Sequence, residues 1–295
     1  MASSSPLSFS VAISRFHNHS TSFLLPSKSS SSPPYVSSPA KRPLLLRIPC
    51  RVLAGSDLLR DVGATAGVLA GAYGLVLTFD TLTRRQIIQQ NLSRKLVHVL
   101  SGLVFVISWP IFSTSSEARY FALFVPLMNC LRLVIHGFSL ATDEGLIKSV
   151  TREGKPEELL RGPLFYVLVL IACTLVFWRE SPVGIISVAM MCGGDGMADI
   201  IGRRFGSMKL PYNQEKSWIG SVSMFTCGFV ISIGMLQYYS ALGYLQLDWS
   251  SAVPGVALIA LTATVMESLP ITNVVDDNIS VPLVSMIAAY LSFGQ

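Results

Sequence analysis

The chain has 295 residues, of which 51% are apolar and only 13% charged, with a mean hydropathy of +0.55. A water-soluble domain carries roughly 25% charged residues, so this chain lacks the polar surface to cover itself in water. Its net charge of +5 is uneven: residues 1–56 hold six basic residues and no acid, leaving 16 basic and 17 acidic residues in a near-neutral body, which argues against a general nucleic-acid footprint.

Residues 1–40 contain fifteen serines. Such a segment buries too little apolar surface to offset the entropy of ordering it. Rich in serine, poor in acids and mildly basic, it fits an organelle transit peptide. The start, Met1-Ala2-Ser3-Ser4-Ser5, favours a chloroplast, because no Arg-rich amphipathic helix is evident and no apolar core marks a secretory signal. The expected organisation is a disordered transit peptide over 1–56, cleaved near Cys50 to Ser56, and a membrane-embedded domain over 57–295.

A helix needs about 20 mostly apolar residues to cross the hydrocarbon core. From Asp57 onward, eight stretches qualify or nearly qualify: 61–79, 96–113, 119–138, 163–178, 182–201, 219–241, 252–269 and 279–294. The fourth is short and the fifth rich in glycine, so the expected fold is an all-α polytopic bundle of seven or eight spans. Pro163, Pro182 and Pro282 read as helix starts, where a missing N–H costs least. The cysteines Cys50, Cys130, Cys173, Cys192 and Cys227 have neither metal nor redox spacing and read as small core residues.

Loop charge orients the spans. With the loop at 80–95 on side one, alternation places 139–162, 202–218 and 270–278 there too. Side one then holds twelve Lys and Arg residues, against Arg119 and Arg179 on side two. By the positive-inside rule, side one is the stroma or cytoplasm.

Charged groups at membrane depth are costly and mark function. The richest cluster runs from Met191 to Ser207. Asp195 and Asp199 are four apart and share a helix face, a pair suited to a Mg²⁺ that also grips phosphates. Gly194, Gly196 and Gly202 would let a ligand approach the backbone, and Arg203 and Arg204 follow. Lys216-Ser217-Trp218-Ile219-Gly220-Ser221 enters the sixth span, where a helix N-terminus, an ammonium and two hydroxyls favour phosphate; the P-loop order is absent. Arg94 and His98 share a face at the start of the second span and read as phosphate contacts or proton handlers. Asn129, Arg132, Glu157, Glu158, Arg161, Glu267, Asp276, Asp277 and Asn278 all fall toward side one as well.

Paired acids, cations and Gly/Ser-rich backbone imply a polyphosphate with Mg²⁺, and the apolar bundle implies a lipid as the second substrate. Phosphoryl transfer asks for positioning and charge neutralisation. The residues alone therefore support a nucleotide-dependent lipid kinase, or equally a cytidylyltransferase acting on a lipid phosphate. A transporter is the reading of another class, since intramembrane acids and broken helices also mark ion pathways; the absence of duplicated halves and the one-sided polar groups speak against it. A CDP-alcohol phosphotransferase is disfavoured, because no further DxxxD follows Asp199.

The chain resembles the polyprenol kinase family from Asp57 to its end. The segments that carry the likeness are Leu92–His98, Ile147–Gly154, Gly193–Gly206, Lys216-Ser217-Trp218, Glu267–Pro270 and Asp277–Ser280. The resemblance implies a chloroplast membrane enzyme that moves phosphate from CTP to phytol, giving phytyl phosphate for tocopherol synthesis, with farnesol or geranylgeraniol as alternative acceptors. On that footing Asp195 and Asp199 hold Mg²⁺ on CTP, one of them or Glu267 takes the alcohol proton, Lys216, Ser217, Arg203 and Arg204 neutralise or bond phosphate, and Arg94 and His98 are outer contacts.

Overall fold

The computed structural model describes residues 50–141, 145, 147, 150, 151, 154–270 and 275–294. The segment expected as a transit peptide lies almost wholly outside the described residues, as do Lys148, Ser149, Arg152 and Glu153 of the side-one loop.

Among the described residues the chain forms eight helices. They are α1 (Cys50–Arg84), α2 (Gln90–Ser108), α3 (Ala118–Gly137), α4 (Pro156–Phe177), α5 (Pro182–Phe205), α6 (Trp218–Ala241), α7 (Trp249–Ser268) and α8 (Asp277–Phe293). The first seven are long and apolar enough to cross a membrane, and α8 is a shorter apolar helix. The fold is thus the all-α polytopic bundle that the hydropathy pattern predicts.

Side-chain oxygens close several helix starts. Ser181 accepts from Val183 N ahead of α5, Ser217 from Gly220 N ahead of α6, Asp248 from Ser250 N ahead of α7 and Asp276 from Asn278 N ahead of α8. Each cap satisfies an N–H that the helix itself leaves free. The Asp276 cap also corrects the reading of Pro282. Because the helix begins at Asp277, Pro282 lies inside α8 and not at its start. The helix α1 begins at Cys50, within the stretch where cleavage is expected.

The bundle is built around α5. An 18-residue stretch of α5 is 78% buried, against 11 to 39% in the other six spans, so α5 is the central helix and the others face lipid on one side. It packs against α2, α6 and α8, while α1 and α3 pack together beside α2 and α4. Midway, Ala189–Asp195 winds as a wider π turn before α-helix resumes at Gly196. Such turns occur often at functional sites, and this one ends on Asp195.

Two features escape the hydropathy pattern. A short antiparallel hairpin, Lys209–Leu210 with Asn213–Ser217, precedes α6. Tyr212 Oη donates to Ser268 Oγ at 3.1 Å and Asn213 Nδ2 to the Ser268 carbonyl at 3.1 Å, bracing the hairpin on the end of α7. At the opposite end of the bundle, Arg179 is 1% exposed. It donates to the carbonyls of Trp109, Phe112 and Ser113 at 3.3, 3.1 and 2.6 Å and lies under the Tyr244 ring. The Ser113 N–H and hydroxyl in turn donate to buried Asp61, which ties α1 into the same clamp.

Candidate active site

One cavity of about 1750 Å³ opens between the side-one ends of the helices. Up-and-down alternation explains its lining. The starts of α2, α4, α6 and α8 and the ends of α3, α5 and α7 all lie at that end, so residues far apart in sequence converge. Arg94, Lys95 and His98 come from α2, Asn129 and Arg132 from α3, and Glu157, Glu158 and Arg161 from α4. Asp195, Asp199, Gly202 and Arg203 come from α5, Lys216, Ser217 and Ser221 from the hairpin and α6, Glu267 from α7, and Asp276, Asp277 and Asn278 from α8.

Two ion-pair clusters face this space. In the first, the Lys95 Nζ stands 3.6 Å from Asp195 Oδ2 and 3.6 Å from Asp199 Oδ2, and Arg203 Nε donates to Asp199 Oδ1 at 2.8 Å. Asp195 and Asp199 therefore do share a face, across the join between the π turn and the α-helix. In the second, the Lys216 Nζ donates to Glu267 Oε1 at 2.5 Å and to Asp277 Oδ2 at 2.9 Å. Burial opposes charge on Lys216, but Glu267 and Asp277 outweigh it and hold the ammonium's pKa above the ordinary lysine value. The braced hairpin is what carries Lys216 to Glu267, which adjoins the bracing residue Ser268.

Several buried atoms have no partner: Glu267 Oε2, Asp277 Oδ1, Asn278 Oδ1, Ser221 Oγ and His98 Nε2. All five residues line the cavity. Buried polar groups are normally satisfied, so this concentration of free acceptors marks a place where a ligand completes the bonding. The donor set is carboxylate oxygen, which suits a hard cation such as Mg²⁺. Among the described residues no three acids, histidines or cysteines are grouped as a ready-made metal cage. A pair of carboxylates completed by phosphate oxygens and water is the usual way Mg²⁺ is held beside a nucleotide, and Asp195 with Asp199 fits that description.

The remaining sequence candidates divide. Gly202 lines the cavity but also packs α5 on α6: a Cβ there would lie 3.2 Å from Ser217 Oγ and 3.4 Å from Gly220 Cα. Gly194 faces the Met224 carbonyl and Gly228 on α6, and a Cβ on Gly196 would overlap the Val99 Cγ2 methyl on α2. Neither Gly194 nor Gly196 lines the cavity; both serve close helix approach. Ser217 lines it while capping α6. Arg204 lies over the Phe205 ring and is not part of the lining.

Sequence reasoning paired Arg94 with His98 and passed over Lys95. The signal was present, because Lys95 and His98 are three apart and also share a face. Tyr166 was missed too. Its hydroxyl donates to the His98 carbonyl at 3.0 Å and meets Ser101 Oγ at 2.9 Å, and its ring lies 4.3 Å from the His98 ring. Nothing in the apolar run Phe165–Val169 singles it out.

Fold and site together define a polytopic membrane protein with a charged, acid-rich cavity at one end of an apolar bundle. Relatives place it further. The chain is 67% identical over 250 residues to the probable phytol kinase 1, chloroplastic, of Glycine max, covering 84% of this chain and 83% of the relative. It is 65% identical over 242 residues to the phytol kinase 1, chloroplastic, of Arabidopsis thaliana, covering 82% and 80%. A probable chloroplastic phytol kinase 1 of Oryza sativa is 64% identical over 236 residues, covering 80% and 75%. The chain belongs to the phytol kinase family. No family model and no solved structure matches it.

Proposed function

We propose that this protein is a chloroplast membrane kinase that transfers the γ-phosphoryl group of CTP to phytol, giving phytyl phosphate and CDP, and so feeds tocopherol synthesis. The observation that carries this reading is the single cavity in which Lys95, Asp195, Asp199, Lys216 and Glu267 converge beside apolar walls, so that a polyphosphate and a lipid alcohol meet in one space. Membership of the phytol kinase family supplies the alcohol. CTP as donor rests on the resemblance to polyprenol kinases.

In this reading Asp195 and Asp199 hold Mg²⁺, which neutralises charge on the triphosphate when bound. Lys95 and Lys216, each already between two carboxylates, turn toward phosphate oxygens as these arrive, and Arg203 adds a third cation. The N-terminus of α6, with Ser217 and Ser221, offers hydrogen bonds to the same anion. The phytol oxygen attacks the γ-phosphorus, the bond from that phosphorus to the β-phosphate oxygen breaks, and CDP leaves with the electron pair. The hydroxyl proton ends on a carboxylate; Glu267, whose Oε2 is free, is suited to receive it, directly or by way of the group that first accepts the hydroxyl's hydrogen bond. Residues 1–56 serve as the transit peptide, and the charged end faces the stroma.

Parallel assays with CTP labelled at the α- or the γ-phosphate test the reaction class. With phytol and Mg²⁺, γ-label in the lipid extract and CDP in the aqueous phase are expected. With phytyl phosphate as acceptor, α-label in the lipid and pyrophosphate release would instead establish a cytidylyltransferase. Label in neither lipid would remove both readings.

A further inference from the structure

The cavity has a second, apolar arm that the ion-pair clusters do not use. Below Lys95 and Arg161 it runs between α1, α2, α3 and α4 and is walled by Val68, Phe105, Val125, Val167 and Leu170. Along α2, Lys95 and Phe105 are ten residues apart, about 15 Å of helix, or roughly half of a ~30 Å hydrocarbon core. Phe105, Val125, Val167 and Leu170 are 1 to 8% exposed, whereas Val104, Met128 and Leu131, which also line the cavity, are 41 to 52% exposed, so part of the arm's wall faces outward between the helices.

His98 stands where the two arms meet. It lies one helical turn below Lys95, it lines the cavity, and its Nε2 is buried without a partner. Its ring is fixed against Tyr166. An imidazole Nε2 with no partner, set between the ion-pair clusters and an apolar shaft, has the chemistry to accept one hydrogen bond from a hydroxyl whose attached chain points down the shaft.

We infer that this shaft is the acceptor subsite: it takes a prenyl alcohol with its hydroxyl at His98 and its chain packed down past Phe105 and Leu170, so that the width at that depth sets the chain length accepted. The inference rests on the kinase reading above, which leaves the lipid's position open. An extended chain advances about 1.2 Å per bond, and His98 and Phe105 are seven residues apart, about 10 Å of helix, so about nine bonds separate the hydroxyl from the level of Phe105 and Leu170. The eight-carbon backbone of a ten-carbon prenyl alcohol ends at about that level, and the sixteen-carbon backbone of a twenty-carbon one continues past it.

The test fills the shaft. Purified Leu170→Phe and Val68→Phe proteins, which narrow it from α4 and α1, are compared with wild type on geraniol and phytol at saturating CTP. Leu168→Phe, on a side of α4 that is 45% exposed and outside the cavity lining, is the control. Both filled variants are expected to lower the phytol-to-geraniol ratio of kcat/KM by at least about tenfold, as steric discrimination in an apolar pocket does, and the control to keep the wild-type ratio. An unchanged ratio in both filled variants would overturn the shaft while leaving the kinase reading intact. Equal loss of both alcohols in both filled variants would also overturn it, because narrowing at that depth spares a chain that does not pass it. A wild-type protein that phosphorylates neither alcohol would instead sink the kinase reading itself.

Discussion

The Lys216 ammonium donates to Glu267 Oε1 at 2.5 Å, joining a hairpin before α6 to the end of α7 across 51 residues of sequence. Glu267 is 4% exposed, so neither charge is well solvated and each depends on the other. A buried pair broken on one side leaves an uncompensated charge, at a cost of about 3–5 kcal/mol. Lys216→Met is therefore expected to lower the melting temperature of the purified protein as well as abolish transfer. Adding Glu267→Gln to it should recover part of the stability and none of the activity. If Lys216→Met melts like wild type, the pair is not the tie described.

The same pair fixes a pH behaviour. A pKa raised in the folded protein means that the pair's stabilising contribution is fully present below the unfolded value, about 10.4 for lysine, and is lost only as pH rises through the still higher folded value. Lys216 should therefore stay charged throughout pH 6 to 9. The rate profile across that range should carry no limb due to Lys216. A basic limb in wild type that disappears in Lys216→Arg would contradict this.

Asp195 and Asp199 share the Lys95 ammonium at 3.6 Å each. If they also hold Mg²⁺ on the nucleotide, Asp199→Asn should reduce kcat by about 10²–10³, the usual loss on removing one group that stabilises transition-state charge. Raised Mg²⁺ should restore part of it. Arg203→Ala, which removes the exposed partner of Asp199, should cost less. Wild-type kcat for Asp199→Asn at ordinary Mg²⁺ would remove the metal assignment.

How far this site was legible in sequence depends on the kind of signal. Spans were legible, because a membrane demands long apolar runs, and the side-one cations that recur at every second loop pointed to the end of the bundle where the cavity opens. Asp195, Asp199, Glu267 and Lys216 stood out as charges beside apolar runs. Their pairing did not, since Lys216 meets Glu267 through a hairpin fixed by Tyr212 and Asn213 on Ser268, a tertiary contact with no local pattern. The glycines were legible as close approach but not as approach to what. Gly196 meets Val99 of α2, and Gly194 meets α6.

That last point has its own test. Gly196→Ala places a methyl group against Val99, and overpacking of this kind costs about 1–3 kcal/mol. Stability and activity should both fall, and Val99→Ala in the same protein should restore both. Failure of Val99→Ala to restore stability would mean that Gly196 is not needed for packing on α2.

Arg179 lies at the far end of the bundle from the cavity. Arg179→Ala strips hydrogen bonds from the Trp109, Phe112 and Ser113 carbonyls and empties the space under Tyr244. A loss of several kcal/mol is expected from a buried network broken on one side, read as lower thermal stability in detergent. The rate per folded molecule should stay within about twofold of wild type, because nothing in the clamp lines the cavity. A large fall in kcat with unchanged stability would show that the two ends of the bundle are coupled.

The account stands most directly on what the purified chain makes. In detergent with phytol, CTP and Mg²⁺, it should form phytyl phosphate and CDP in equal amounts, and the Asp195→Asn/Asp199→Asn double variant should form neither above background. No phytyl phosphate from the folded wild-type protein, or a wild-type rate from the double variant, would contradict the claim that this cavity transfers phosphate to the alcohol.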